Sequence, residues 1–453
     1  MLAGVAHQLG HECSLYDLTT IPEGEEISSF HSKLESFGPD LLAVSCRSNE
    51  WSFLEQLFES VNLESIPKVF GGPHATVAPE QVIQIADILV IGEGEETFAQ
   101  ILKKIDQRED ANGIAGCWVK QDDTIFKNEV THVISALDEL PFPQWRIFDD
   151  IHYSSSFIKR HFKGANITGT FEASRGCPYA CAYCTNDYVR SLYRGKGKWR
   201  REKSPERILQ EVRMFRDEYG LDCVYWIDEV MLTNVDRLRR FRDLYRSEIG
   251  TPFVFMERPE NMTDEKVRII REAGAQMVSI GIESGDENIR TNLLNRKHSQ
   301  ETIISAFKIA KKHDLTTHAF TMIGFPGEDR DSIKKTYKLI NKVQPEIMQT
   351  TIFYPLKKTK LYEKVIEEGL FDVRTPMPSD YYTKSALTFS ENKHRELFLA
   401  QYVLTNYKNK VISLLGLSML SLPASFTSIL YLIIRSLHFF RRVYNKLLKK
   451  IFP

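Results

Sequence analysis

Three thiols fall within eight residues of this chain, in Cys177-Pro-Tyr-Ala-Cys181-Ala-Tyr-Cys184, directly after Arg175-Gly176. Thiolates at C-x3-C-x2-C spacing can hold three irons of a [4Fe–4S] cluster and leave the fourth iron without a protein ligand. An open iron is a place for a small molecule to bind and for an electron to leave. A fourth cysteine would point instead to a closed electron-transfer cluster or a structural zinc. Three packing cysteines that merely happen to be neighbours fit poorly with so tight a spacing. They fit no better with a Gly and a Pro that free the backbone to wrap a cluster.

Other chemistry-bearing residues gather where apolar runs stop. Tyr225-Trp-Ile-Asp228-Glu229-Val230 closes one run with two carboxylates, and buried acids need a partner. Gly281-Ile-Glu283-Ser-Gly285 closes a second run, and Met322-Ile-Gly324-Phe325-Pro-Gly327-Glu328 a third, whose glycines let a ligand approach the backbone closely. Nearer the N-terminus, Ser45, Gly71-Gly72 and Gly92-Glu-Gly94 end three short apolar runs in the same manner. A bulky flat ligand lying on the backbone would need such glycines.

The elements that must position these residues alternate regularly. Over residues 1–107, strands are expected at Leu41–Ser45, Pro67–Phe70 and Ile88–Ile91, with amphipathic helices at Glu50–Val61 and Glu95–Ile105. Short apolar strands between helices predict a parallel sheet covered on both faces, with ligands at the carboxyl ends of the strands. Met1–Leu9 reads as a helix already under way, stopped by Gly10 and followed by a strand at Glu12–Asp17. The strand that normally opens such a domain is missing, so the domain is expected to be truncated. Residues 108–165 read as a connector, with a hairpin turning at Asp122-Asp123 and an extended stretch at Pro141-Phe-Pro143. Residues 166–370 form a second series, with strands near 168–173, 223–228, 252–257, 276–282, 316–323 and 347–354. Helices such as Pro205–Tyr219 and Gln300–His313 separate them. The fold class is α/β, a partial (β/α)6 barrel whose chemistry belongs at the carboxyl ends of its strands.

At 453 residues there is room for two or three domains. A net charge of −1 argues against a general nucleic-acid binder, which would show a basic excess. Seven cysteines, three of them clustered, with no secretory signal fit a reducing cytoplasm and metal binding rather than disulfides. Cys13, Cys46, Cys117 and Cys223 are scattered through apolar surroundings and read as packing residues.

The triplet, with Tyr183 just before its third cysteine, resembles the hallmark of the radical S-adenosylmethionine (SAM) superfamily. Together with the motifs at 281–285 and 322–328, it resembles the class that carries an N-terminal cobalamin-binding domain, over roughly residues 1–370. The resemblance implies that Cys177, Cys181 and Cys184 ligate a [4Fe–4S] cluster and that Tyr183 packs beside the SAM adenine. It further implies that Asp228 and Glu229 bind the SAM amine, Glu283 the ribose, and Gly324 and Phe325 the adenine. Arg258 is either a partner for the SAM carboxylate or a solvated loop arginine. Ser45, Gly71, Gly72, Gly92 and Gly94 would line cobalamin. The family's axial histidine motif, Asp-x-His-x-x-Gly, is absent, and His74 is the histidine near these strand ends. The family's Pro-x-x-Gly-Thr turn reads Pro355-Leu-Lys-Lys358-Thr359, with lysine for glycine, which leaves the local backbone path open.

The implied activity is reductive cleavage of SAM and radical attack on an unactivated carbon, foremost C-methylation. The implied partners are a small-molecule or lipid-like substrate and a reductant such as flavodoxin or ferredoxin. Ring formation or rearrangement without methyl transfer is the nearest alternative, followed by a tRNA methylthiotransferase and a non-catalytic SAM- or corrinoid-binding protein. A methylthiotransferase would need a second cluster, for which Cys13, Cys46 and Cys117 are three in number, but Cys13 and Cys117 fall within strand-like runs. Residues 371–453 are expected to be helical. Val411–Ile434 carries no charge, and the basic, apolar stretch after it predicts association with the inner face of the cytoplasmic membrane.

Overall fold

A computed structural model describes residues 1–409 and 412, save 23, 64, 163 and 379. The chain divides into two compact units. One comprises Met1–Ala180, Cys184–Met256 and Glu272–Ala275; the other comprises Cys181–Tyr183, Glu257–Arg271 and Gln276 onward.

The first unit opens with helix Leu2–Gln8, but Glu12–Asp17 is not a strand. Its last residue, Asp17, instead accepts the Thr19 N–H to cap a short turn at Leu18–Thr20. The sheet begins at β1 (Leu42–Ser45) and continues through β2 (Lys68–Gly71) and β3 (Ile88–Val90), all parallel. Register places Ser45 opposite Gly71, so both stand at the same carboxyl edge. The intervening helices bury stripes at helical spacing: Trp51, Leu54 and Leu57 on one, Phe98, Ile101 and Leu102 on another. The expected hairpin is present as β4 (Cys117–Gln121) and β5 (Thr124–Lys127). It does not stand apart in a connector. β4 pairs antiparallel with β3, so the first sheet runs on past residue 107 in the order β1-β2-β3-β4-β5.

Three strands of the second series follow in this unit. β6 (Thr168–Phe171) is succeeded by a short antiparallel pair, β7 (Ser174–Arg175) and β8 (Arg201–Glu202), which flanks the cysteine segment. β9 (Cys223–Trp226) lies parallel between β6 and β10 (Phe253–Glu257). Trp226 is fully buried and meets Phe241, Tyr245 and Phe253 edge-on. The second unit carries β11 (Ala275–Glu283), β12 (Thr316–Ile323) and β13 (Ile347–Ile352), also parallel, with a register break between Gly281 and Glu283.

Six strands therefore occupy the expected stretches, and the helices after them start where a side chain can cap them. Ser204, Asn234, Ser299, Asp329, Thr359 and Ser390 each accept the N–H three residues on. Beyond residue 370, the described residues hold one long helix, Glu391–Thr405. No helix among the described residues is long and apolar enough to cross a membrane. Apart from Ile412, the uncharged run 411–434 and the basic stretch after it lie outside the described residues.

Candidate active site

In the first unit the cysteine segment is braced from behind. Asp228, at the end of β9 and 2% exposed, accepts Ala173 N–H at 3.0 Å and is hydrogen-bonded to the Ser174 hydroxyl. Burial pushes its carboxyl up to about 6, against those two bonds. Asp228 thus ties the end of β6 to β9. Glu229 is exposed and accepts from Asn186 at 3.2 Å. Gly176 holds φ 87°, and a side chain there would strike the Trp199 carbonyl. Trp199 Nε1 donates to the Cys177 carbonyl at 3.0 Å, and Arg200 donates to the Gly176 carbonyl at 3.2 Å. Cys177 is buried and Cys184 half-buried.

Five charged residues reinforce this segment. Arg175 pairs with Glu95 at 2.6 Å and Glu172 at 2.8 Å, while Arg201 grips both oxygens of Glu93 at 2.6 and 2.7 Å. Burial alone would raise the Glu95 carboxyl, but Arg175 outweighs it and holds it below the usual range. Both glutamates lie at Gly92-Glu-Gly94, the stretch read as a cobalamin edge. There the hydroxyl of Tyr193 fills the space that a side chain on Gly92 would take. Gly92, with φ 80°, is thus required by Tyr193 at this end of β3. Gly94 has only ordinary contacts with Val90 and Leu2.

The edge at β1 and β2 differs. Ser45 is exposed, and Gly71 and Gly72 are half-buried. Gly72 has φ 89°, and a Cβ would come within 2.9 Å of Ser45 Oγ, so the neighbouring loop itself demands glycine. His74 is 4% exposed, stacked on Trp51 at 4.9 Å and bonded through Nδ1 to Ser48 at 3.0 Å. A corrin needs a flat, open strand edge, and the accessible Ser45 beside Gly71-Gly72 fits that need.

In the second unit, Cys181 is buried and its Sγ accepts from Arg258 Nη1 at 2.9 Å. Arg258 is 7% exposed and also pairs with Glu260, so it is no solvated loop arginine. A guanidinium directed at sulfur suits a thiolate that ligates iron. No group of three His, Cys, Asp or Glu among the described residues converges closely enough for a single metal ion. A cubane, which takes one thiolate at each of three separate irons, does not ask for that convergence. Tyr183 and Glu283 share one partner: Arg296 Nη1 donates to the Tyr183 hydroxyl at 3.1 Å and to Glu283 Oε1 at 3.2 Å. Burial lowers the Arg296 pKa, but Tyr183 and Glu283 outweigh it and hold the guanidinium charged. Glu283 itself holds φ 64°, a left-handed conformation that costs a non-glycine residue about 1–3 kcal/mol and clusters at functional sites.

Gly324 adopts φ 84° and, with Phe325, donates its N–H to Glu328 Oε2, at 2.5 and 3.4 Å. Phe325 is fully buried against Phe353, so its ring is core. Glu328 is 5% exposed, and burial pushes its carboxyl up to about 7. Lys358, in the turn where the family has glycine, takes φ 65°, the left-handed conformation that favours glycine, and Thr359 caps the next helix.

Sequence reasoning missed Arg296, Glu260, His298, Glu93, Arg201 and Tyr193. Only the run Asn295-Arg-Lys-His298 and the charge within Gly92-Glu-Gly94 could have drawn notice.

Residues 171–340 match the Radical SAM superfamily and residues 1–102 match the B12 binding domain. The chain is 26% identical over 376 residues to an uncharacterized methyltransferase of Pyrococcus horikoshii, covering 82% of this chain and 78% of the relative. It is 24% identical to cytidylyl-2-hydroxyethylphosphonate methyltransferase of Streptomyces wedmorensis, over 75% of this chain and 69% of the relative. Among solved structures, the radical SAM methyltransferase TsrM of Kitasatospora setae shares the fold. Its TM-score is 0.66 at 14% identity, with 81% of this chain and 72% of that chain covered.

Proposed function

We propose, for a chain that carries a radical SAM domain and a B12-binding domain, that it is a cobalamin-dependent C-methyltransferase acting on an unactivated carbon of a small molecule. The observation that carries this reading is the pairing of the two domain matches on one chain, at 1–102 and 171–340. The methyltransferase names of its relatives support it. When bound, the cluster, SAM and cobalamin supply the electron, the hydrogen-abstracting radical and the methyl group.

The chain's own residues orient and enclose. Cys177, Cys181 and Cys184 hold the cluster, and Trp199, Arg200 and Asp228 keep the stretch that leads into them, residues 173–177, in shape. Tyr183 and Glu283, locked by Arg296, present the adenine and ribose side of the SAM site. Gly324 lets backbone approach the adenine. Ser45, Gly71 and Gly72 offer the cobalamin edge, while Gly92 belongs to the packing of Tyr193. A low-potential protein such as flavodoxin or ferredoxin delivers the electron. The basic tail beyond residue 434 holds the protein at the inner face of the cytoplasmic membrane, which suits a lipid-like substrate. Cell fractionation with and without 411–453 checks the tail: a full-length protein that stays soluble at low salt and ignores anionic vesicles defeats it.

The function itself is tested with anaerobically reconstituted full-length protein. Iron, sulfide and cobalt should be bound together, and dithionite with SAM should yield 5′-deoxyadenosine. Protein that binds no cobalt when refolded with hydroxocobalamin refutes methyl transfer. With substrate, S-adenosylhomocysteine should accumulate beside 5′-deoxyadenosine; its absence would indicate ring formation or rearrangement.

A further inference from the structure

Cys181 has a charged neighbour whose aim is itself fixed. Arg258 follows β10, and its guanidinium makes three directed contacts. Nε and Nη2 both reach Glu260 Oε1, at 2.8 and 2.6 Å, while Nη1 reaches Cys181 Sγ at 2.9 Å. The guanidinium is a rigid plane, so fixing one edge on a carboxylate oxygen determines where the remaining nitrogen points. A histidine faces the other oxygen of Glu260 at ion-pair distance, without hydrogen-bond alignment. His298, buried at 7% exposure, places Nδ1 3.2 Å from Glu260 Oε2. Burial would raise the Glu260 carboxyl, but His298 and Arg258 together bring it down to about 2, so it is ionised. Neither Glu260 nor His298 has a place in the SAM or cobalamin sites as described above.

We propose that Glu260 is a positioning residue for the cluster: by clamping Arg258 it aims an N–H at the Cys181 thiolate and so makes the cluster easier to reduce. Reduction adds negative charge that spreads onto the ligand sulfurs, and a donor at sulfur stabilises that charge. Iron–sulfur potentials are set in part by such bonds. A cluster that must pass an electron to a sulfonium needs its reduced state within reach of a cellular donor. The inference rests on the assignment of Cys177, Cys181 and Cys184 as cluster ligands.

Simple charge arithmetic gives the opposite sign, which makes the idea testable. If Glu260 acted only as a nearby negative charge, removing it would raise the potential, and Glu260→Asp, which keeps the charge, would change nothing. If it acts by aiming Arg258, both Glu260→Ala and the shortened Glu260→Asp should lower the potential. The measurement is a redox titration of full-length, anaerobically reconstituted protein without SAM, followed by electron paramagnetic resonance of the reduced cluster. We expect both variants to cut the ratio of reduced to oxidised cluster at a fixed potential about tenfold, equal to about 59 mV for a one-electron couple. A raised or unchanged midpoint in Glu260→Asp overturns the proposal, and that variant decides even if Glu260→Ala does not fold. Iron and sulfide in the parent protein are measured first. A parent that holds no cluster refutes the ligand assignment, and the proposal with it. A parent that holds one, with unshifted variants, refutes the proposal alone.

Discussion

Tyr193 accepts the backbone N–H of Glu93 at 2.7 Å, and its hydroxyl occupies the side-chain position of Gly92. The ring is 3% exposed and stacks on Trp199 at 5.7 Å. Trp199 in turn holds the Cys177 carbonyl, so the end of β3 is linked through two aromatic rings to the cysteine segment. Tyr193→Phe removes one buried hydrogen bond and should cost about 1 kcal/mol. Gly92→Ala must take φ 80° and displace the hydroxyl, so it should cost more, about 1–2 kcal/mol from the backbone alone. Urea melts of the two variants check the order. A Gly92→Ala protein as stable as the parent would contradict the packing.

Cys177→Ala, Cys181→Ala and Cys184→Ala should each abolish reductive SAM cleavage, because two thiolates hold a cubane poorly. Cys46→Ala and Cys117→Ala should leave it intact. Burial pushes both of those thiols up to about 12, so they resist ionising and make poor ligands. The same burial speaks against a second cluster of the methylthiotransferase kind. Formation of 5′-deoxyadenosine with dithionite is the readout, and equal loss across all five variants would sink the assignment.

Much of this was legible because the chemistry sits where strands stop. The cysteine spacing, the paired acids at 228–229 and the glycines at 281–285 and 324–327 each end an apolar run whose length alone marks a strand. What stayed hidden depends on partners distant in sequence. Asp228 stands at the end of a strand, but its bonds to Ala173 and Ser174, 55 and 54 positions away, are not written in that stretch. Gly92 looks like a corrin contact until Tyr193 is found against it. Periodicity reports which face of an element is buried, not what fills that face. Lys358 shows the converse: the sequence left the path of this turn open, and the lysine adopts the left-handed conformation that favours glycine.

Glu328 should impose a pH dependence on stability. Its carboxyl moves from an ordinary 4.5 to about 7 on folding, so the folded state binds the proton more tightly. Stability from this group is therefore fully present below about 4.5 and is lost as pH rises through about 7. Glu328→Gln keeps an oxygen for the Gly324 and Phe325 N–H groups but cannot ionise. The variant should gain on the parent as pH rises from 5 to 8, and thermal melts across that range should show the difference growing. A constant difference would mean that Glu328 is ionised throughout.

Ser45 is the cleanest probe of the cobalamin edge. It is exposed at the end of β1, directly opposite Gly71 in register, and its side chain carries none of the packing that burdens Gly92. Gly72 is a poor probe, since its φ of 89° and the approach of Ser45 Oγ mean that any side chain there disturbs the loop itself. A Ser45→Trp change places a large ring where a corrin would lie. Bound cobalt should fall severalfold after reconstitution, while iron, sulfide and substrate-free SAM cleavage stay at parent levels. The split matters because a folding defect would lower all four together. Full cobalt in Ser45→Trp would move the corrin away from the β1–β2 edge.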